Sequence, residues 1–158
     1  MGKIIVFGNQ KGGVGKTTLT AMTATALAQD PFNRSVFVAD IDRQQSLIRR
    51  RLGDIQDENI IPPYPLEYKT LNQLLKEIER IDSEYDLTFI DAPGKLDMDL
   101  PAEEQEISKV LLLADFVFIP VVPGNYAMEA TIDFLELALK VKAKRPNRPL
   151  QIIGLVNM

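Results

Sequence analysis

Eleven consecutive residues, Gly8-Asn9-Gln10-Lys11-Gly12-Gly13-Val14-Gly15-Lys16-Thr17-Thr18, bring together the groups that act on polyphosphates: glycines, lysines and hydroxyls. Glycines let successive backbone N–H groups turn inward around a β-phosphate, because a side chain there would occupy the space its oxygens need. Lys16 offers a positive charge to the β- and γ-phosphates. Thr17 offers a hydroxyl to Mg²⁺ and Thr18 one to the α-phosphate. The nucleotide-binding set is therefore Gly12, Gly13, Val14, Gly15, Lys16, Thr17 and Thr18. An apolar strand, Lys3 to Phe7, precedes this loop and a small-residue helix, Leu19 to Ala28, follows it, which is the order a phosphate cradle requires. That context weighs against the plainer reading, a glycine-rich turn with solvated lysines.

A cradle needs partners at the same edge. In an open α/β sheet, ligands collect at the carboxyl ends of the strands, and acidic residues follow two further apolar runs. The first is Ala39-Asp40-Ile41-Asp42-Arg43-Gln44-Gln45-Ser46. The second is Leu87-Thr88-Phe89-Ile90-Asp91-Ala92-Pro93-Gly94. Asp91 at a strand end can hold Mg²⁺ through a water, and the Gly94 N–H is free to meet a γ-phosphate. A purely structural turn would also explain Pro93-Gly94. An N-cap carboxylate, opening a helix near Gln44, would equally explain Asp42.

Lys11 to Thr18 departs from the strict G-x-x-x-x-G-K-[ST] pattern, since Gln10 stands where its first glycine belongs. It resembles the deviant Walker A box of the ParA/MinD group, in which a residue other than glycine is common there, and the whole chain resembles ParA-type partition ATPases. The resemblance implies that Lys11 crosses the interface of an ATP-sandwich dimer to the partner subunit's phosphates. It also implies that Asp42 positions or activates the attacking water and that Asp40 lies nearer the metal shell. Arg43 stands where that family usually has proline. Ile153-Gly154-Leu155-Val156-Asn157 looks like its later strand ending in asparagine, which makes Asn157 a candidate adenine contact or else a frayed terminal residue. The site residues so implied are Lys11, Lys16 and Asp42 for catalysis, and Thr17, Asp40 and Asp91 for the metal, with ATP or ADP and Mg²⁺ as cofactors. By the same resemblance the partners are a second copy with ATP, non-specific DNA and a centromere-binding, ParB-like protein, and hydrolysis is slow.

The elements that must position these residues read as alternating strands and helices, hence a doubly wound, mostly parallel α/β sheet of the P-loop NTPase type. Strands are expected at Lys3 to Phe7, Ser35 to Ala39, Leu87 to Ile90, Phe116 to Ile119 and Gln151 to Val156, with a short edge strand at Leu66 to Lys69 after the proline-rich segment Ile61 to Pro65. Their nearly continuous apolar character suits strands covered on both faces. Helical spacing joins Leu71, Leu74, Leu75 and Ile78, and also Thr131, Phe134, Leu135, Ala138 and Val141. No repeat or long linker divides the chain, so residues 1–158 read as one domain. The end at Met158, straight after an apparently central strand with no helix to cover it, predicts a chain cut short or unusually short.

With no cysteine or histidine, zinc fingers, thiol nucleophiles, Ser-His-Asp chemistry and a nitrogenase-reductase cluster are all excluded. The N-terminal apolar run is too short for a signal peptide, and Val6 breaks a myristoylation signal, so a cytoplasmic protein is expected. No basic amphipathic helix closes the chain, which sets aside a MinD-like membrane ATPase. A nucleotide-gated module that does not hydrolyse is the rival of a different class. The net charge of −4 gives no general attraction to DNA, so contact would fall to Arg49-Arg50-Arg51 or to Lys140, Lys142, Lys144, Arg145 and Arg148. The second group lies where cations favour a helix C-terminus without any DNA.

Overall fold

The computed structural model describes residues 2–54, 61–93, 101–123 and 125–156, with side chains described for all of these but 54, 101–105 and 125–127. The chain runs β1 (Lys3–Phe7), α1 (Lys16–Ala28), β2 (Val36–Asp40), α2 (Ser46–Asp54), β3 (Leu66–Tyr68), α3 (Leu71–Glu84), β4 (Leu87–Asp91), α4 (Pro101–Leu113), β5 (Phe116–Val121), α5 (Asn125–Ala143) and β6 (Gln151–Val156). The strands form one sheet in the order β3-β2-β4-β1-β5-β6, and every pair is parallel. The winding reverses at β1. From there the chain passes to β2 on one side, and later crosses from β4 to β5 on the other, which opens a crevice at the carboxyl ends of these strands.

Alternate residues of β1 serve two apolar layers, and this is why its sequence shows no polar face. Ile4 and Val6 join α3, α4 and α5 through Leu74, Ile81, Val110, Leu111, Phe134 and Ala138. Ile5 and Phe7 join α1 and α2 through Ala24 and Leu47. The small residues Thr20 and Ala24, both fully buried, let α1 lie close on the sheet. Where β1 ends, the Gly8 N–H donates to the Phe118 carbonyl at 2.9 Å, and a Cβ on Gly8 would fall on the Phe134 ring. The loop after β1 thus leaves the sheet through a gap that a side chain at position 8 would fill.

The expected strands are all present, and the short segment at Leu66 is an edge strand as read. Among the described residues β6 pairs with β5 alone, and its positions are exposed or half-buried accordingly. Each helical seam holds except for one member. Leu74 and Ile81 are buried in α3 while Leu75 is 36% exposed, and Leu137 replaces Leu135 in the buried face of α5. A residue at the border of an apolar stripe satisfies the spacing without facing the core. α3 is opened by a reciprocal cap, with the Gln73 N–H donating to Thr70 Oγ1 and the Thr70 N–H to Gln73 Oε1. α4 has no counterpart among the expected elements, although Pro101 suits a first helical position and Ile107, Val110, Leu111 and Ala114 have helical spacing and are all buried.

Two members of the second basic group are tied into this framework. Arg148 grips Asp115 with both arms, Nε to Oδ1 and Nη2 to Oδ2, each at 2.8 Å, and Asp115 Oδ2 also accepts the Ile4 N–H. Arg145 Nη1 donates to the Leu111 and Ala114 carbonyls at the end of α4. Burial alone would push the Asp115 carboxyl up, but the Arg148 fork and the Ile4 amide outweigh it and hold it below the ordinary carboxylate range. Its contribution to stability is therefore complete above the unfolded carboxyl pKa and lost as pH falls through the lower folded value. Arg148→Ala should cost about 2 kcal/mol at pH 7, less than a fully buried pair because the guanidinium is partly solvated. The gap to the parent protein should close below about pH 4, and urea titrations at pH 7 and pH 3 would measure both.

Candidate functional site

The loop between β1 and α1 is shaped by two left-handed residues, Gly13 at φ 77° and Gly15 at φ 91°, a region that side chains rarely enter. Gly15 is the N-cap of α1 and no side chain among the described residues caps the helix, which leaves the amides of its first turn open to a ligand. Gly12 has no positive φ, and a Cβ placed on it would meet nothing within 4 Å. Neither conformation nor crowding within the chain demands glycine at 12, whereas an anion over the loop would. Val14 is buried at 2% exposure and roots the loop in the core.

Lys16, only 6% exposed, turns back across the loop and donates from Nζ to the Lys11 carbonyl at 2.9 Å. Burial pulls its ammonium below the ordinary lysine pKa, while the Asp91 and Asp42 carboxylates pull the other way. A desolvated cation so placed is only partly compensated. It has reason to exchange a neutral carbonyl for a phosphate.

Asp91 ends β4 and lies in register with Asp40 at the end of β2. Thr17 Oγ1 donates to Asp91 Oδ1 at 3.3 Å, while Asp91 Oδ2 is buried with no hydrogen-bond partner among the described residues. Burial is the main reason its carboxyl is pushed up to about 7, with the charges of Asp40 and Asp42 adding to it and the Thr17 hydrogen bond and Lys16 opposing. An orphaned buried carboxylate oxygen beside a threonine hydroxyl fits a hard cation. Among the described residues no group of three or more Asp or Glu could hold a metal alone. The donor set suits Mg²⁺, which takes one or two protein oxygens and completes its shell with phosphates and water.

Asp40 is fully buried, and its oxygens accept the Asp42 N–H at 3.0 Å and the Ile48 N–H at 3.4 Å. It ties the strand end to the first turn of α2. Asp42 sits half-buried at the edge of the site; its Oδ1 accepts the Gln44 N–H at 2.9 Å and its carbonyl the Gln45 N–H at 2.9 Å. This closes the turn that proline would otherwise stiffen, with Gln45 at φ 50° and the helix starting at Ser46. Thr18 is exposed on the first turn of α1 and Lys11 is half-buried. Gly94 and Asn157 lie outside the described residues.

Asn9 belongs to the site although its residue type alone gives no reason to single it out. It is 2% exposed; Nδ2 donates to the Pro120 carbonyl and to Thr131 Oγ1, both at 2.9 Å, and Oδ1 accepts the Lys11 N–H at 3.0 Å. The only hint in the sequence is its place, a polar residue between a buried strand and a glycine loop. Of the basic triplet, Arg51 stacks 4.1 Å over the Tyr64 ring and donates to the Tyr64 carbonyl, so Arg49 and Arg50 are its exposed members. Lys140, Lys142 and Lys144 are exposed along and just beyond the end of α5.

Comparison with known proteins agrees with this fold. The family described as CobQ/CobB/MinD/ParA nucleotide binding domain matches residues 5–157. A curated relative, the maintenance of carboxysome distribution protein A of Halothiobacillus neapolitanus, is 27% identical over 139 residues, which cover 86% of this chain and 59% of the relative. The chain thus spans well under two thirds of that protein. A plasmid partition protein from Borrelia burgdorferi superposes with a TM-score of 0.70 at 21% identity, over 98% of this chain and 78% of that one. Cobyrinic acid a,c-diamide synthase from Mycobacterium smegmatis, solved with bound ADP and magnesium, gives 0.73 at 21% identity, over 99% and 74%. At such identities the superpositions establish a common fold. No helix among the described residues is long and apolar enough to cross a membrane.

Proposed function

We propose that this chain, which belongs to the CobQ/CobB/MinD/ParA nucleotide-binding family, is a slow, Mg²⁺-dependent ATPase that uses an ATP-bound dimer to position a cellular cargo. The observation that carries this reading is the convergence of an uncapped helix start, the buried Lys16 and the orphaned Asp91 oxygen on one crevice.

On this reading the amides of residues 12–18 bind the phosphates, and Lys16 moves its ammonium from the Lys11 carbonyl to the β- and γ-phosphate oxygens. Thr17 and Asp91 would hold Mg²⁺, which offsets charge on the phosphate oxygens when bound. Asp42 orients a water against the γ-phosphorus, whose bond to the β–γ bridging oxygen then breaks. Lys11, reaching from a second copy, adds positive charge where the transferred phosphoryl becomes more negative. Asp40 holds the turn that carries Asp42. Gly94 would meet the γ-phosphate and Asn157 the adenine edge.

The cargo is proposed from relatives named for plasmid partition and for carboxysome distribution. It is DNA or a protein body carried over DNA, with a ParB-like partner that triggers turnover in the cytoplasm. Non-specific DNA contact falls to Arg49, Arg50, Lys140, Lys142 and Lys144, the exposed members of the two basic groups. Sizing tests the reading: the 17.7 kDa chain should double in mass with a slowly hydrolysed ATP analogue and Mg²⁺ but not with ADP. Binding without a mass change would remove the dimer, and absence of any nucleotide binding would remove the whole reading.

A further inference from the structure

The backbone of Lys11 is held from two directions. Its carbonyl accepts Lys16 Nζ, and its N–H is taken by Asn9 Oδ1. These two restraints differ in kind. The lysine contact must be given up if Lys16 turns to a phosphate, whereas the asparagine contact involves protein groups alone and persists. Asn9 also uses both amide hydrogens at its other end, on the Pro120 carbonyl in β5 and on the Thr131 hydroxyl in α5. One buried side chain therefore links the phosphate loop to the opposite wall of the crevice through three hydrogen bonds, all between 2.9 and 3.0 Å.

We infer that Asn9 is a positioning residue for Lys11: it anchors the loop backbone at residue 11 to β5 and α5, and so sets where the Lys11 side chain leaves the loop once Lys16 has turned away. The physical reason is rigidity. A primary amide whose donors and acceptor are all satisfied by different elements can neither rotate nor shift without leaving a buried polar group unpaired. Lys16 and the amides that follow it are carried by the first turn of α1, and the buried Val14 roots the loop just before it, so these need no such anchor. Loss of Asn9 should therefore spare nucleotide affinity and impair the step to which Lys11 contributes. What Lys11 contributes rests on the function proposed above; that Asn9 holds it does not.

The experiment compares the parent, Asn9→Ala, Lys11→Ala and the double variant in steady-state phosphate release, together with amide exchange of the nucleotide-free proteins. Asn9→Ala should lower kcat about tenfold, as when a group acting in the transition state is displaced, and change KM less than about threefold. The double variant should be no slower than Lys11→Ala alone, because a residue acting through Lys11 has nothing left to position. Losses that multiply would overturn the inference, as would equal changes in kcat and KM. In exchange, the Lys11 amide should open at least about tenfold faster in Asn9→Ala. An unchanged rate would overturn the inference whatever the kinetics. If Asn9→Ala does not fold, Thr131→Val removes one of the three bonds and should shift exchange and kcat in the same direction, with Thr131→Ser restoring both; no shift would count against Asn9. A parent protein that hydrolyses no ATP would refute the proposed function, while the exchange result would still decide the role of Asn9.

Discussion

Lys16→Ala is expected to weaken nucleotide binding at least about a hundredfold, which calorimetry with ATP or ADP and Mg²⁺ would register as loss of measurable heat. The size follows from what the side chain is exchanging. Its bond to the Lys11 carbonyl is to a neutral acceptor, and its burial leaves the ammonium poorly solvated. Transfer to a phosphate replaces that contact with a charge-assisted one of roughly twice the strength. A hydrogen bond between charged groups, worth about 1.5–3 kcal/mol, together with the attraction of a cation for a polyphosphate in a partly desolvated site, comes to about two powers of ten or more. Folding should not suffer. Burial opposes the Lys16 charge while its bond to the Lys11 carbonyl favours it, so the variant's melting temperature should change little. A dissociation constant within threefold of the parent's would refute the assignment of the loop.

The second large effect is a loss of turnover with retained binding in Asp42→Ala, by about a hundredfold or more if the carboxylate handles the attacking water. The structure complicates the choice of variant, because Asp42 Oδ1 also accepts the Gln44 N–H and shapes the turn into α2. Alanine removes both functions. Asp42→Asn keeps an acceptor for the Gln44 amide while deleting the charge, so it separates them. If both variants bind nucleotide within threefold of the parent and both lose hydrolysis, the charge is required. Full turnover in Asp42→Asn would instead reduce Asp42 to a turn residue, and leave the water without the carboxylate assigned to orient it.

Much of this site could be read before any coordinates because its information is local. Glycines at 13 and 15 are demanded by backbone angles within the loop, and the Lys16-Thr17 pair takes its place from the helix that starts there. Asp91 is delivered by the length of one apolar strand. Arg145 and Arg148 read differently in sequence and in space. In sequence they belong to a basic cluster; in space they satisfy the end of α4 and the buried Asp115. Those partners stand more than thirty positions away, and no spacing rule reaches them.

The alternation of strands and helices, the glycine loop and the acidic strand ends are legible in the chain alone, since each depends on neighbours within a few residues and on the periods of helix and strand. Only the folded chain shows that Leu75 and Leu135 fall outside the core, that Asp91 keeps an oxygen unpaired among the described residues, and that Asn9 bridges the loop to β5 and α5. These are properties of burial and of hydrogen bonds between distant segments, and they come into being only when the strands take their order in the sheet.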